Sequence, residues 1–234
     1  MDLQRVRIAL EDAATGSVSA AIHHPVDDPD HVVGVPVLLV PGAGGDLDGD
    51  GLTALAEVIA SHGHPVVRVN LPHHERGAPA PRAETAVEAF RQIVAGAHEH
   101  LGDARAWVLG GKSYGGRVAS LAVAEGEPAA GLLFYGYPLH APGKPERLRV
   151  AHWPRVGVRC CFLQGQRDRF CDLRLLEQQV HKLPRRTTLH VVPGADHSLN
   201  VAAGHSPSGE ARSPRESIAG LGDKLAAWLA HLEE

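Results

Sequence analysis

Short runs rich in valine and leucine alternate along the chain with longer segments whose apolar residues recur at helical spacing. That alternation predicts βαβ units closing a mostly parallel sheet. Residues 3–10 and 17–23 read as opening strands, DDPD at 27–30 as a turn, and 35–40 as a buried strand running into Pro41-Gly42-Ala43-Gly44-Gly45. Leu52, Leu55, Ala56 and Ile59 give the next segment one apolar face, Gly63 ends it, and 65–70 is the following strand. The unit repeats as helix 83–100, strand 105–110, a helix opened by GKSYGG at 111–116 that runs to about 125, and strand 130–138. A basic, proline-bearing loop at 139–157 precedes strand 158–164, helix 172–182 and strand 187–192. After a Gly/Ser/Pro-rich loop at 203–214, a last amphipathic helix covers 215–232. No internal repeat breaks this order, and one α/β domain over 1–234 is the expected organisation for a chain of this length.

Composition narrows the functional classes. With 44% hydrophobic and 21% charged residues the chain matches ordinary globular proteins and not disordered, collagenous or coiled-coil ones. A net charge of −4 and no dense basic cluster give no reason to expect nucleic acid or an acidic membrane as partner. The most apolar stretch, Val32 to Val40, is too short to span a bilayer and is interrupted by Gly34 and Pro36. The first twenty residues hold no uninterrupted apolar run of the signal-peptide kind. Cys160, Cys161 and Cys171 lay out no disulfide framework, which points to a reducing, cytoplasmic compartment. The first two fall inside a strand and read as small core residues.

The chemistry concentrates at Gly111-Lys112-Ser113-Tyr114-Gly115, a G-x-S-x-G between the apolar strand WVLG and a helix bearing Val118, Ala119 and Leu121. A serine at such a strand-to-helix turn is held clear of the sheet at the positive end of a helix, and small neighbours let strand and helix backbones approach. Gly111-Lys112-Ser113 also reproduces the ending of a phosphate-binding loop. Its earlier glycine is replaced by Ala106, and Trp107, Val108 and Leu109 read as strand, so the nucleophile elbow is the better reading. A serine nucleophile needs a base and an acid that orients it, expected further along the chain in the order acid, then histidine. Asp168, after strand CCFLQG, and His197, after LHVVPG, fit that order. Asp172 is the stronger N-cap for the helix that follows, and Asp196, adjacent to His197, is a weaker candidate acid because neighbouring side chains diverge. Two backbone N–H groups should hold the oxyanion, those of Tyr114 and Ala43.

Other patterns carry less. Asp46-Leu47-Asp48-Gly49-Asp50-Gly51 with Glu57 matches the calcium-loop pattern, but no helix is expected before it. A solvated acidic turn capping the next helix is the preferred reading. The histidine pairs at 23/24, 62/64, 73/74 and 98/100 show no zinc spacing, so neither metal nor cofactor is expected. His73 and His74 read as surface loop residues near the mouth of the site. Lys144, Arg147, Arg149 and Arg155 read as a solvated charged loop rather than an anion site.

With these residues in place the chain resembles an α/β-hydrolase. More narrowly, it is similar to the small α/β-hydrolase-like family that includes a testis-expressed protein and a subunit of a histone-acetyltransferase complex, loosely grouped with dienelactone hydrolases. The likeness runs from about 35 to 232 and is carried by GAGGDLDGDGLTALAEVIASHGHPVVRVN, GGKSYGGRVAS, YPLHAPGKPERLR, FLQGQRD and GADHSL. Relatives commonly have histidine where Pro41 stands. The resemblance implies a mostly parallel sheet flanked by helices without a large cap domain. It also implies Ser113 as nucleophile, Asp168 as acid, His197 as base, and Ala43 and Tyr114 as oxyanion donors. The expected activity is hydrolysis of a small carboxylic ester or thioester, with a small-molecule acyl substrate as partner. The alternative is a non-catalytic scaffold of this fold that binds a protein partner.

Overall fold

Strands β1 (Leu3–Ala9) and β2 (Ser17–His23) form an antiparallel pair at one end of a single eight-stranded sheet. The computed structural model describes residues 2–11, 15–25, 34–102 and 106–232; the turn expected at 27–30 lies outside them, as does the start of the strand expected at 105–110. β2 pairs antiparallel with β4 (Val66–Val69), and from there the sheet is parallel through β3 (Val37–Val40), β5 (Val108–Lys112), β6 (Gly131–Tyr135), β7 (Arg159–Gly165) and β8 (Thr187–Val192). The strand order is β1-β2-β4-β3-β5-β6-β7-β8.

The central strands are apolar on both sides because helices cover both faces. On one face Leu38, Leu109, Leu132, Phe134 and Phe162 pack with residues of α3 (Val87–Leu101) and α4 (Tyr114–Ala124). On the other, Leu39, Val108, Leu133 and Leu163 meet α1 (Asp50–Ser61), α6 (Pro214–Ala219) and α7 (Gly222–Ala230). All three cysteines are buried and free; Cys160 and Cys161 alternate between the two cores, as small strand residues would. Burial raises all three thiols above their ordinary range.

Several boundaries differ from expectation for local reasons. The helix expected over 83–100 starts with a 3-10 turn, Ala83–Ala86. The one expected over 172–182 is α5 (Leu173–Gln179) followed by a 3-10 turn, with Pro184 beyond. The last helix is two: a capping box between Ser213 and Glu216 opens α6, and Gly220 closes it before α7 turns Leu225 and Leu229 into the core. A short helix the pattern did not show, α2 (Pro72–Glu75), follows β4, with proline in its first turn. Between β6 and β7 the chain holds only one 3-10 turn, Trp153–Arg155, so no cap domain is inserted there. Among the described residues no helix is long and apolar enough to cross a membrane.

Candidate active site

β5 ends at Lys112 and α4 begins at Tyr114, leaving Ser113 alone at the turn with φ 51° and ψ −111°. A non-glycine residue in that region is strained by about 1–3 kcal/mol, tolerated where the surroundings fix it. Here Ser113 N–H donates to the Tyr135 carbonyl at 2.9 Å, and its own carbonyl accepts from Arg117 N–H at 3.1 Å. A methyl group on Gly111 would lie 2.0 Å from the Val40 carbonyl oxygen, and one on Gly115 2.5 Å from it, so only glycine lets α4 approach β3. The phosphate-loop alternative is thereby closed: residues 108–112 are paired strand, not a cradle.

The loop after β8 brings His197 to this serine. Its Nε2 lies 2.8 Å from Ser113 Oγ, and its Nδ1 lies 2.7 Å from Asp168 Oδ2. The carboxylate only accepts, so Nδ1 carries the proton and Nε2 offers its lone pair to the hydroxyl. Asp168 has a fully buried side chain, 0% exposed, with two further donors: Gln164 Nε2 at 2.6 Å and Phe170 N–H at 2.7 Å. The Phe170 ring stands 4.5 Å from the His197 ring, so packing as well as hydrogen bonding fixes the imidazole. Asp196 is committed elsewhere: its Oδ1 accepts from the N–H groups of Ser198 and Asn200, shaping the turn that presents His197. Tyr135 Oη donates to the Ser198 carbonyl and Lys112 Nζ to Ser198 Oγ, tying that turn to the sheet. Asp172 caps α5 through the N–H groups of Arg174 and Leu175.

The 137–149 block closes on itself: Tyr137 Oη donates to the Arg149 carbonyl at 2.9 Å, and Arg149 N–H to the Leu139 carbonyl at 2.8 Å. His140 on this loop donates its backbone N–H to Phe170 and accepts at Nε2 from Asp172 N–H, bracing the turn that carries Asp168. Arg149 Nη1 reaches the Pro138 carbonyl and Arg155 Nε the Ala124 carbonyl, while Lys144 and Arg147 are exposed.

The glycine-rich loop after β3 passes beside Ser113; a methyl group on Gly42 would sit 3.6 Å from Ser113 Cβ. His73 and His74, expected on the surface, pack against this loop instead. His73 is 2% exposed and its ring stands 5.5 Å from that of Tyr114. His74 Nε2 lies 3.0 Å from the Gly42 carbonyl oxygen. Burial pulls the His73 imidazole down to about 4 and lowers that of His74, so both are neutral at pH 7. A second serine–histidine contact, Ser120 Oγ to His152 Nε2 at 2.8 Å, is buried inside α4, where Ser120 Oγ also bonds the Arg117 carbonyl. It braces α4 against the 3-10 turn after β6.

The acids of the 46–57 stretch do not converge. Asp48 pairs with Arg5 at 2.7 Å and with Arg68, while Asp50 and Glu57 pair with Arg215 of α6. No side chain caps α1, whose N-cap is Gly49, which corrects the expected capping role. Among the described residues no group of three or more His, Cys, Asp or Glu side chains is arranged to hold a metal ion.

Comparison with known proteins agrees with this architecture. Residues 34–224 match the model of the family described as alpha/beta hydrolase domain, and the chain belongs to that family. Est1E from Butyrivibrio proteoclasticus superposes with a TM-score of 0.70 at 13% identity, over 98% of each chain. XC6422 from Xanthomonas campestris, described as an α/β serine hydrolase without a lid, gives 0.66 at 18% identity over 99% of this chain and 93% of its own. A dienelactone hydrolase from Anabaena variabilis gives 0.66 at 17% identity, over 98% and 97%. At these identities the likeness is one of fold.

Proposed function

We propose that the protein is a serine hydrolase that cleaves a small carboxylic ester or thioester through an acyl-enzyme on Ser113. The observation that carries this reading is the unbroken chain Ser113 Oγ–His197 Nε2, His197 Nδ1–Asp168 Oδ2, at 2.8 and 2.7 Å. Ser113 Oγ attacks the substrate carbonyl carbon while its proton passes to His197 Nε2. The new positive charge on the imidazole is stabilised by the buried Asp168 carboxylate across Nδ1–H. The oxyanion is received by the N–H groups of Tyr114, at the first turn of α4, and Ala43. The tetrahedral intermediate collapses as His197 returns the proton to the departing alcohol or thiol, and water then repeats the sequence to release the acid. The narrower kinship suggested by the 137–149 block, and a cytoplasmic setting, are parts of the same proposal.

The test is intact-protein mass after brief exposure to a fluorophosphonate. A single adduct is expected on the wild type and none on Ser113→Ala. Asp168→Asn, which leaves His197 facing a partner that is no longer only an acceptor, should slow labelling by about 10³–10⁴-fold, as loss of the orienting acid does elsewhere. A folded wild-type protein that takes up no label would sink the proposal.

A further inference from the structure

The ring of His74 grips the loop beside Ser113 at Gly42. The tautomer of His74 follows from its partners. Its Nδ1 accepts from Leu71 N–H at 3.0 Å, so the ring proton sits on Nε2, which therefore donates to the Gly42 carbonyl oxygen at 3.0 Å. That carbonyl belongs to the same planar peptide as Ala43 N–H, and in a trans peptide C=O and N–H point in opposite directions. Drawing the Gly42 oxygen toward His74 turns the Ala43 N–H away from it. Pro41, immediately before, has no N–H to help fix the loop, and within the loop the Gly42 carbonyl accepts only the longer bond from Gly45 N–H at 3.2 Å.

We propose that His74 is a positioning residue that holds the Gly42–Ala43 peptide with its N–H facing Ser113, ready for the oxyanion. This rests on the reading of Ala43 as an oxyanion donor. The mount is firm. His73, the preceding residue, is buried with its ring 5.5 Å from that of Tyr114. Glu75 accepts from Ser19 N–H at 3.0 Å and Asn70 Nδ2 at 2.9 Å, and Asn70 Oδ1 accepts from Leu47 N–H at 2.8 Å. α2 is thus fastened to β2 and to the far end of the glycine-rich loop, and a donor on it reports its position directly to the peptide at 42–43.

Two substitutions separate this role from a merely structural one, because amide side chains imitate the two ring nitrogens separately. His74→Asn keeps an acceptor near the Nδ1 position for Leu71 N–H but cannot reach Gly42. His74→Gln places a donor near the Nε2 position. With a fluorophosphonate, whose phosphoryl oxygen takes the oxyanion's place, His74→Asn should lower the maximal labelling rate by about 10–100-fold, with its concentration dependence unchanged. His74→Gln should recover most of that loss, and urea unfolding checks that both variants fold. Labelling of His74→Asn at the wild-type rate, or recovery absent in His74→Gln, would overturn the assignment. Labelling absent from the wild type itself would instead overturn the reading of the site on which it rests.

Discussion

Replacing Gly115 by alanine places one methyl group where α4 crosses β3, and its effect can be worked from distances. The added carbon would stand 2.5 Å from the Val40 carbonyl oxygen, 2.6 Å from that of Pro41 and 2.6 Å from Val40 Cγ2. Ordinary contact begins at 3.4 Å, so α4 and the strand must separate by about 0.9 Å. Two of the three obstacles are backbone and cannot rotate away. Overpacking of this kind costs about 1–3 kcal/mol, set against about 1 kcal/mol gained from the better helix propensity of alanine. The net expectation is a loss of about 0–2 kcal/mol in urea unfolding. The catalytic effect should be larger, because the separation opens the gap between Tyr114 N–H on α4 and Ala43 on the loop after β3. A displacement near 1 Å in such a constellation costs about 10²-fold, so fluorophosphonate labelling should slow by about that factor. Gly45→Ala is the control: nothing lies within 4 Å of the added carbon, and stability should hold or rise by a few tenths of a kcal/mol, about the lower end of the unfolded-state effect. Wild-type stability and labelling rate in Gly115→Ala would refute the claim that glycine here sets the distance between the two oxyanion donors.

Two further outcomes follow from charges described above. Burial holds His23, His73 and His152 down to about 4, so between there and 6.5 the unfolded chain binds protons that the folded one refuses. Stability should be full above pH 6.5, fall as pH drops through this window and level off below pH 4; each group contributes about 1–2 kcal/mol after allowance for solvent screening. A urea midpoint unchanged between pH 7 and pH 5 would contradict this. Calcium titration by calorimetry should give no binding heat, because Asp48, Asp50 and Glu57 already face Arg5, Arg68 and Arg215 in two separate groups; saturable heat would reopen the 46–57 loop as a site.

Residues whose roles depend on neighbours in sequence were legible before the structure. The elbow announces itself because strand, glycines, serine and helix lie within a dozen positions. Asp172 as a cap is equally local. The order of strands and helices follows from periodicity, and Asp168 and His197 follow because each sits just beyond a parallel strand, where loops gather at one edge. What escaped depends on contacts distant in sequence. Nothing in Leu71-Pro72-His73-His74 says that the second histidine bonds a loop about thirty residues earlier. The calcium pattern shows the converse: its spacing fits, but the arginines that pair with its acids come from β1, β4 and α6. The break at Gly220 needed knowledge that Ile218 and Leu225 must both reach one core.

The strained turn at Ser113 rests on β3, β5, β6 and α4, all of which lie before residue 136. His197 arrives only after β8 has paired along the far side of β7. Ser113 and the elements that hold its turn therefore leave the ribosome before the residues that supply its neighbour His197. Under the proposed chemistry, reactivity belongs to the finished sheet: a chain halted short of β8 would carry Ser113 without His197, the base that acylation requires.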